Sequence, residues 1–109
     1  MKTKNTILYF FLLTIVCACK KHEDGTRNEN EIWLHNSMVD PYQTIITKGT
    51  TVTFINKDNT THTASEMKNK FYSGKLNPGG SYSYTFNDTG YYAFICNYQN
   101  SMLGQIIVK

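Results

Sequence analysis

Gly90-Tyr91-Tyr92-Ala93-Phe94-Ile95-Cys96-Asn97-Tyr98-Gln99-Asn100-Ser101-Met102-Leu103-Gly104-Gln105-Ile106-Ile107-Val108 is the stretch that decides the fold. Its first half places Tyr92, Phe94 and Cys96 at alternate positions, and Ile106 and Val108 close the second half in the same way. A period of two belongs to a half-buried strand, because successive side chains point to opposite faces of the pleat. Between the halves, Cys96 ends an aromatic strand and Met102 comes just before Gly104, where a strand resumes. A loop of that length can turn both sulfurs toward one point.

The same period runs back toward the N-terminus. Tyr82, Tyr84 and Phe86 alternate with Ser81, Ser83 and Thr85; Val52 and Phe54 with Thr51, Thr53 and Ile55; Ile32 and Leu34 with Trp33 and His35. Turn chemistry separates the runs at Lys48-Gly49, at Asn77-Pro78-Gly79-Gly80 and at Asn87-Asp88-Thr89-Gly90. No amphipathic helix is legible. Short strands spaced by such turns predict an all-β, antiparallel β-sandwich over residues 31–109. The segment Glu66 to Leu76 is the least regular and reads as a long connection with room for one short strand or helical turn.

Ahead of the strands, Lys2 and Lys4 precede an almost wholly apolar run from Ile7 to Ala18. Such a run is too short to span a bilayer and reads as an export signal over residues 1–18. An uncleaved anchor helix is the alternative, and it also puts the domain outside the cytoplasm. Val16-Cys17-Ala18-Cys19 resembles the lipobox of bacterial lipoproteins, which implies cleavage before Cys19 and lipidation of that residue. Val16 and Cys17 are unusual for that motif. Residues 19–30, from Cys19 to Asn30, contain no apolar residue after the cysteine and read as a flexible tether. His22 lies in it and reads as solvated.

Composition narrows the functions. A chain of 109 residues, 40% hydrophobic and 14% aromatic, fits one domain with one core. The formal charge of +3 falls to +1 once Lys2 and Lys4 leave with the signal. That bias is too weak to argue for nucleic acid. The expected partners are the membrane, through the lipid, and a redox protein of unknown identity; the domain is expected to be a monomer.

With Cys17 cleaved and Cys19 lipidated, Cys96 is the one thiol of the domain and has no disulfide partner. A lone buried cysteine is ordinarily a small hydrophobe. Here Met102 follows it, and His62 lies in the polar segment after the strand Thr51 to Asn56. Thiolate, imidazole and a weak thioether are what a soft copper site demands.

Three motifs then combine. Asn56-x-Asp58-x-x-x-His62-Thr63-Ala64 comes first, and Phe71-x-Ser73-Gly74-x-Leu76-x-Pro78-Gly79-x-Ser81-Tyr82-Ser83-x-Thr85-Phe86 second. Gly90-x-Tyr92-x-Phe94-x-Cys96-x-x-Gln99-x-x-Met102-x-Gly104-x-Ile106-x-Val108 is the third. Together they resemble the plastocyanin, amicyanin and pseudoazurin group of blue-copper proteins, the cupredoxins, over nearly all of Ile32 to Lys109. The resemblance implies a Greek-key sandwich with one type 1 copper ion and a role in electron transfer. It also implies ligation by His62, Cys96 and Met102.

Where that family carries its second histidine, this chain has Gln99, whose amide oxygen is a harder and weaker donor than an imidazole. Three outcomes stay open. Copper binds with Gln99 or water in the fourth position; another histidine supplies the ligand; or the fold persists without metal. His35 is the other histidine of the domain, and it reads as an exposed strand residue that reaches a metal only if the fold departs locally. Met38, Met67 and Trp33 read as core or loop residues. Thr63 and Asn97 flank two ligand positions and are candidates for tying the loops together.

An enzyme is not expected. A multicopper oxidase needs several histidine-rich clusters, and a dinuclear centre needs two cysteines on one loop. A copper carrier, or a non-metal binding or structural module on this fold, remain the alternatives to electron transfer.

Overall fold

The computed structural model describes residues 27–109, so the export signal and the lipidated cysteine expected of the sequence lie outside the described residues. Eight strands follow in order: β1 Glu31–His35, β2 Met38–Asp40, β3 Gln43–Ile46, β4 Thr50–Asn56, β5 Ser65–Glu66, β6 Ser81–Phe86, β7 Gly90–Cys96 and β8 Gln99–Val108. Arg27 to Asn30 already touch the strands: Arg27 pairs with Asp40 at 3.3 Å, and the Asn30 carbonyl accepts the Thr53 N–H.

The strands form two four-stranded sheets, β2-β1-β4-β6 and β3-β8-β7-β5. The expected all-β sandwich is present, and no described residue is helical. Both sheets are mixed, because β1 pairs with β4 in parallel and β3 with β8 in parallel. Alternation shows which face of a strand is buried and carries no information on direction, so an all-antiparallel sandwich was the simplest expectation. The parallel β1–β4 pair matters for the site. It brings the ends of both strands, where Leu34 is opposite Asn56, to the same end of the molecule.

Side chains that alternate inward from both sheets fill the core. Ile32, Leu34, Val52, Phe54, Phe86, Phe94 and Ile106 are all essentially buried. On the outer face of the β4–β6 pair the alternate positions are mostly serines and threonines, with Thr51 bonded to Thr85 and Thr53 to Ser83 across the pair. The irregular connection between β5 and β6 is pinned by Phe71, which packs 5.4 Å from Phe54 and 5.7 Å from Phe86 between ring centroids. Burying one such ring stabilises by about 1.5–3 kcal/mol, enough to anchor a segment with little secondary structure.

Candidate metal centre

The β7–β8 hairpin sets the positions of both sulfurs. From Gly90↔Val108 to Ile95↔Leu103 its register is constant, and continued by one step it would put Met102 opposite Cys96. The register shifts there instead, and Cys96 pairs with Gln99 around a tight turn. Cys96 and Met102 thus lie on the inward face at the same end of the hairpin, 1% and 0% exposed. Cys96 is a free thiol.

His62 comes from the loop after β4 and is held by a bridge to Leu76, with backbone hydrogen bonds in both directions. Its ring is buried, and its Nδ1 faces Cys96 Sγ at 3.5 Å. On the far side, Nε2 lies 2.7 Å from Asp58 Oδ2. An ionised carboxylate only accepts, so Nε2 carries the hydrogen and Nδ1 of the neutral ring keeps its lone pair. That lone pair faces the thiol, whose S–H can donate to it. The Asp58 carboxyl titrates below its ordinary value. Burial, the largest single influence, pushes it up, and it is outweighed by the Asn36 N–H, by the hydrogen bond from His62 and, when those rings are protonated, by the charges of His62 and His35.

The loop that carries Asp58 and His62 is built by Asn56. Its amide donates to the carbonyls of Thr60 and Leu76, both at 2.7 Å, while its side-chain oxygen accepts the Asp58 N–H at 2.9 Å. The last of these is an Asx turn, which folds the chain back on itself just after the strand ends. Next to His62, the Thr63 hydroxyl accepts the Asn97 N–H at 2.9 Å, so the His62 and Cys96 loops are tied as the sequence led one to expect.

Gln99 meets a different group. Its Nε2 donates to the hydroxyl of Ser37 at 3.0 Å, in the turn between β1 and β2. Among the described residues no group of three or more His, Cys, Asp or Glu side chains is placed to hold a metal ion.

The family model described as "Cupredoxin-like domain" matches residues 7–108. The chain belongs to that family. No curated protein sequence matches it. Among solved structures, the cupredoxin-like domain is similar to a purple cupredoxin from Nitrosopumilus maritimus, with 25% identity and a TM-score of 0.66 over 72% of this chain and 98% of that one. A reduced single-residue variant of amicyanin has 21% identity and a TM-score of 0.68 over 79% of this chain and 84% of its own. A copper-containing nitrite reductase from Thermus scotoductus SA-01 has 28% identity and a TM-score of 0.68 over 72% of this chain. This chain corresponds to 22% of that enzyme, whose activity does not come with the likeness. Family and fold support a copper-type electron-transfer protein in general.

The other residues singled out in the sequence have settled places in the cupredoxin fold. His35 puts Nε2 3.4 Å from Asp40 and Nδ1 3.3 Å from Asn36, so both its nitrogens face polar partners other than His62 and Cys96. Met38 and Met67 are exposed. Trp33 is half-buried, bonds Glu31 through its indole N–H and lies under the Lys57 ammonium, 4.4 Å from the ring centroid. Sequence reasoning gave Asn56, Asp58 and Ser37 no role. The i, i+4 spacing of Asp58 and His62 was an available signal for one contact; nothing local announces Ser37.

Proposed function

We propose that this protein is an exported, lipid-anchored copper protein that carries electrons, with one ion held by His62 Nδ1, Cys96 Sγ and the Met102 thioether and with Gln99 as a weak fourth donor. The observation that carries this reading is the pairing of His62 Nδ1 and Cys96 Sγ, 3.5 Å apart with their hydrogen-bonding atoms turned on each other. A tetrahedral first-row ion, with bonds of about 2.0 Å to nitrogen and 2.3 Å to sulfur, separates two such donors by about 3.5 Å. Metal would take the place of the proton shared between them, and binding would release that proton. A soft thiolate and thioether favour copper over harder cations. Bound copper would supply a one-electron couple. The rest is done by the chain: Asp58 holds the ring tautomer, Thr63 joins the loops, and the buried rings of Phe54 and Phe94 keep the adjoining core dry. The purple cupredoxin, which spans a similar length, supports the reading as a likeness of family.

The anchor belongs to the same proposal. The expected lipid on Cys19 would keep the domain at a membrane surface on the outer side of the cytoplasmic membrane, and Cys19→Ser should release it into the soluble fraction. For the site, copper titrated into the full mature chain should give an intense visible band that Cys96→Ser abolishes. Gln99→His should tighten binding and move the spectrum toward an ordinary blue site. If the wild-type chain binds no copper while Gln99→His does, the native protein is a metal-free module on this fold; if neither binds, the assignment of His62, Cys96 and Met102 is wrong.

A further inference from the structure

The turn between β1 and β2 reaches both loops of the candidate centre. Asn36 and Ser37 have φ of 51° and 61°, the left-handed pair that a two-residue hairpin turn requires. The Asn36 N–H donates to Asp58 Oδ1 at 2.9 Å, and the other oxygen of that carboxylate holds His62. One residue on, the Ser37 hydroxyl accepts from Gln99 Nε2 at 3.0 Å. Thus a single turn on the β1–β2 hairpin meets the loop of His62 through its backbone and the loop of Cys96 through a side chain.

We infer that Ser37 is a positioning residue for Gln99, orienting the amide so that its carbonyl oxygen is the end left free for the metal. This rests on the copper reading above. A glutamine amide has one end that can only donate hydrogens and one that can only accept; only the oxygen can coordinate a cation. Gln99 is half-buried and its side chain could turn either end toward the site. With Nε2 donating to Ser37, the end that cannot coordinate is engaged and the long side chain is fixed before metal arrives, which lowers the ordering left for binding. The turn cannot drift to follow Gln99, because its backbone conformation is set by the hairpin and its preceding N–H is held by Asp58. In an ordinary type 1 site an imidazole occupies this position; here the weaker donor comes with a partner from the opposite sheet.

Ser37→Ala removes the hydroxyl and leaves the Asn36–Asp58–His62 chain intact, since that chain uses a backbone N–H. In the metal-free full chain, the two Gln99 side-chain amide proton resonances should move in Ser37→Ala toward those of a free glutamine. With Cu(II), Ser37→Ala should shift the visible band and the copper hyperfine splitting and weaken binding about tenfold. In a Gln99→Ala background Ser37→Ala should change nothing further, which separates an effect through Gln99 from one through the turn. Unchanged Gln99 amide resonances, an unchanged spectrum, tighter binding in Ser37→Ala, or an equal effect in the Gln99→Ala background would each overturn the inference. A wild-type chain without a copper-dependent visible band overturns the copper reading itself, and this inference with it.

Discussion

Gly104 lies against the ring of Phe94 so closely that a Cβ on the glycine would sit 2.5 Å from Cζ of that ring and 2.8 Å from a methyl of Val39. The two residues pair across the β7–β8 ladder. Neither neighbour can yield cheaply, since Phe94 is locked in the core against Phe54 at 5.2 Å. Gly104→Ala should therefore cost about 1–3 kcal/mol, the range for overpacking a tight core, measured as a lower urea midpoint with an unchanged slope. Because Met102 lies two residues before Gly104, the same variant should also disturb a copper spectrum.

Thr63 is 1% exposed and its hydroxyl serves both Asn97 N–H and, at 3.0 Å, Ser65 Oγ. Thr63→Val keeps the shape and leaves the Asn97 N–H without its acceptor. A loss of about 1–3 kcal/mol is expected, with faster hydrogen exchange at the Asn97 amide; Thr63→Ser should restore much of both. Exchange at Asn97 as slow in Thr63→Val as in the wild type would show that the loops are joined by something else.

Tyr92 fixes the behaviour in alkali. Its hydroxyl donates to the Asp88 carbonyl at 2.9 Å. Its phenol titrates above the ordinary value of 10.0, because of burial first and then the nearby Asp88, Tyr84 and Glu66. A raised value means that the folded chain holds this proton more tightly than the unfolded one. The resulting stability is complete below pH 10 and is lost as the pH rises through the folded value. Tyr92→Phe should be less stable than wild type at pH 7 by about 1 kcal/mol for the lost hydrogen bond. The gap should narrow in strong alkali, where only the wild type must keep a buried phenol neutral. Tyr82, also raised by burial, leaves a residual alkaline limb in the variant. Paired denaturant curves at pH 7 and above pH 10 would test this, and a gap that widens would contradict it.

Much of this was legible in the chain because burial follows alternation. Ile32 with Leu34, Val52 with Phe54, and Tyr92 with Phe94 and Cys96 all turned inward as their spacing required. The tie between Thr63 and Asn97 was also legible, since it joins residues adjacent to two positions already marked by chemistry. What could not be read depends on strand direction. Ser37 and Gln99 are far apart in the chain and lie on different sheets, and they meet because β1 runs parallel to β4 and carries its turn to the end of the sandwich where β7 of the other sheet also ends. Asp58 was hidden for a different reason. Its i, i+4 spacing from His62 is the one local mark it carries, and in a loop that spacing brings two side chains together only once Asn56 has folded the chain.

Asp58 is the residue on which the electronic state of His62 depends. With Oδ1 on the Asn36 N–H and Oδ2 on His62 Nε2, both its oxygens are engaged. Its folded value lies below 3.8, so this carboxylate is ionised at neutral pH. Its contribution to stability is present above that value and is lost as the pH falls through the lower folded one. Asp58→Ala frees the ring, and a neutral imidazole without this acceptor can carry its hydrogen on Nδ1, where it would face the Cys96 thiol. Nitrogen-15 shifts of His62 in the metal-free chain should therefore move from a pure Nε2–H tautomer in wild type toward a mixture in the variant. Copper affinity should fall about 10–100-fold, as it does when an acceptor behind a ligating histidine is removed. Asp58→Asn separates the two contributions of the carboxylate, since an amide oxygen can still accept from Nε2 but carries no charge. It should keep the tautomer largely intact and lose less affinity than Asp58→Ala. If Asp58→Ala retained both the Nε2–H tautomer and full copper affinity, the orientation of His62 would have to come from its bridge to Leu76 alone, and the carboxylate would be a feature of the loop with no part in the site.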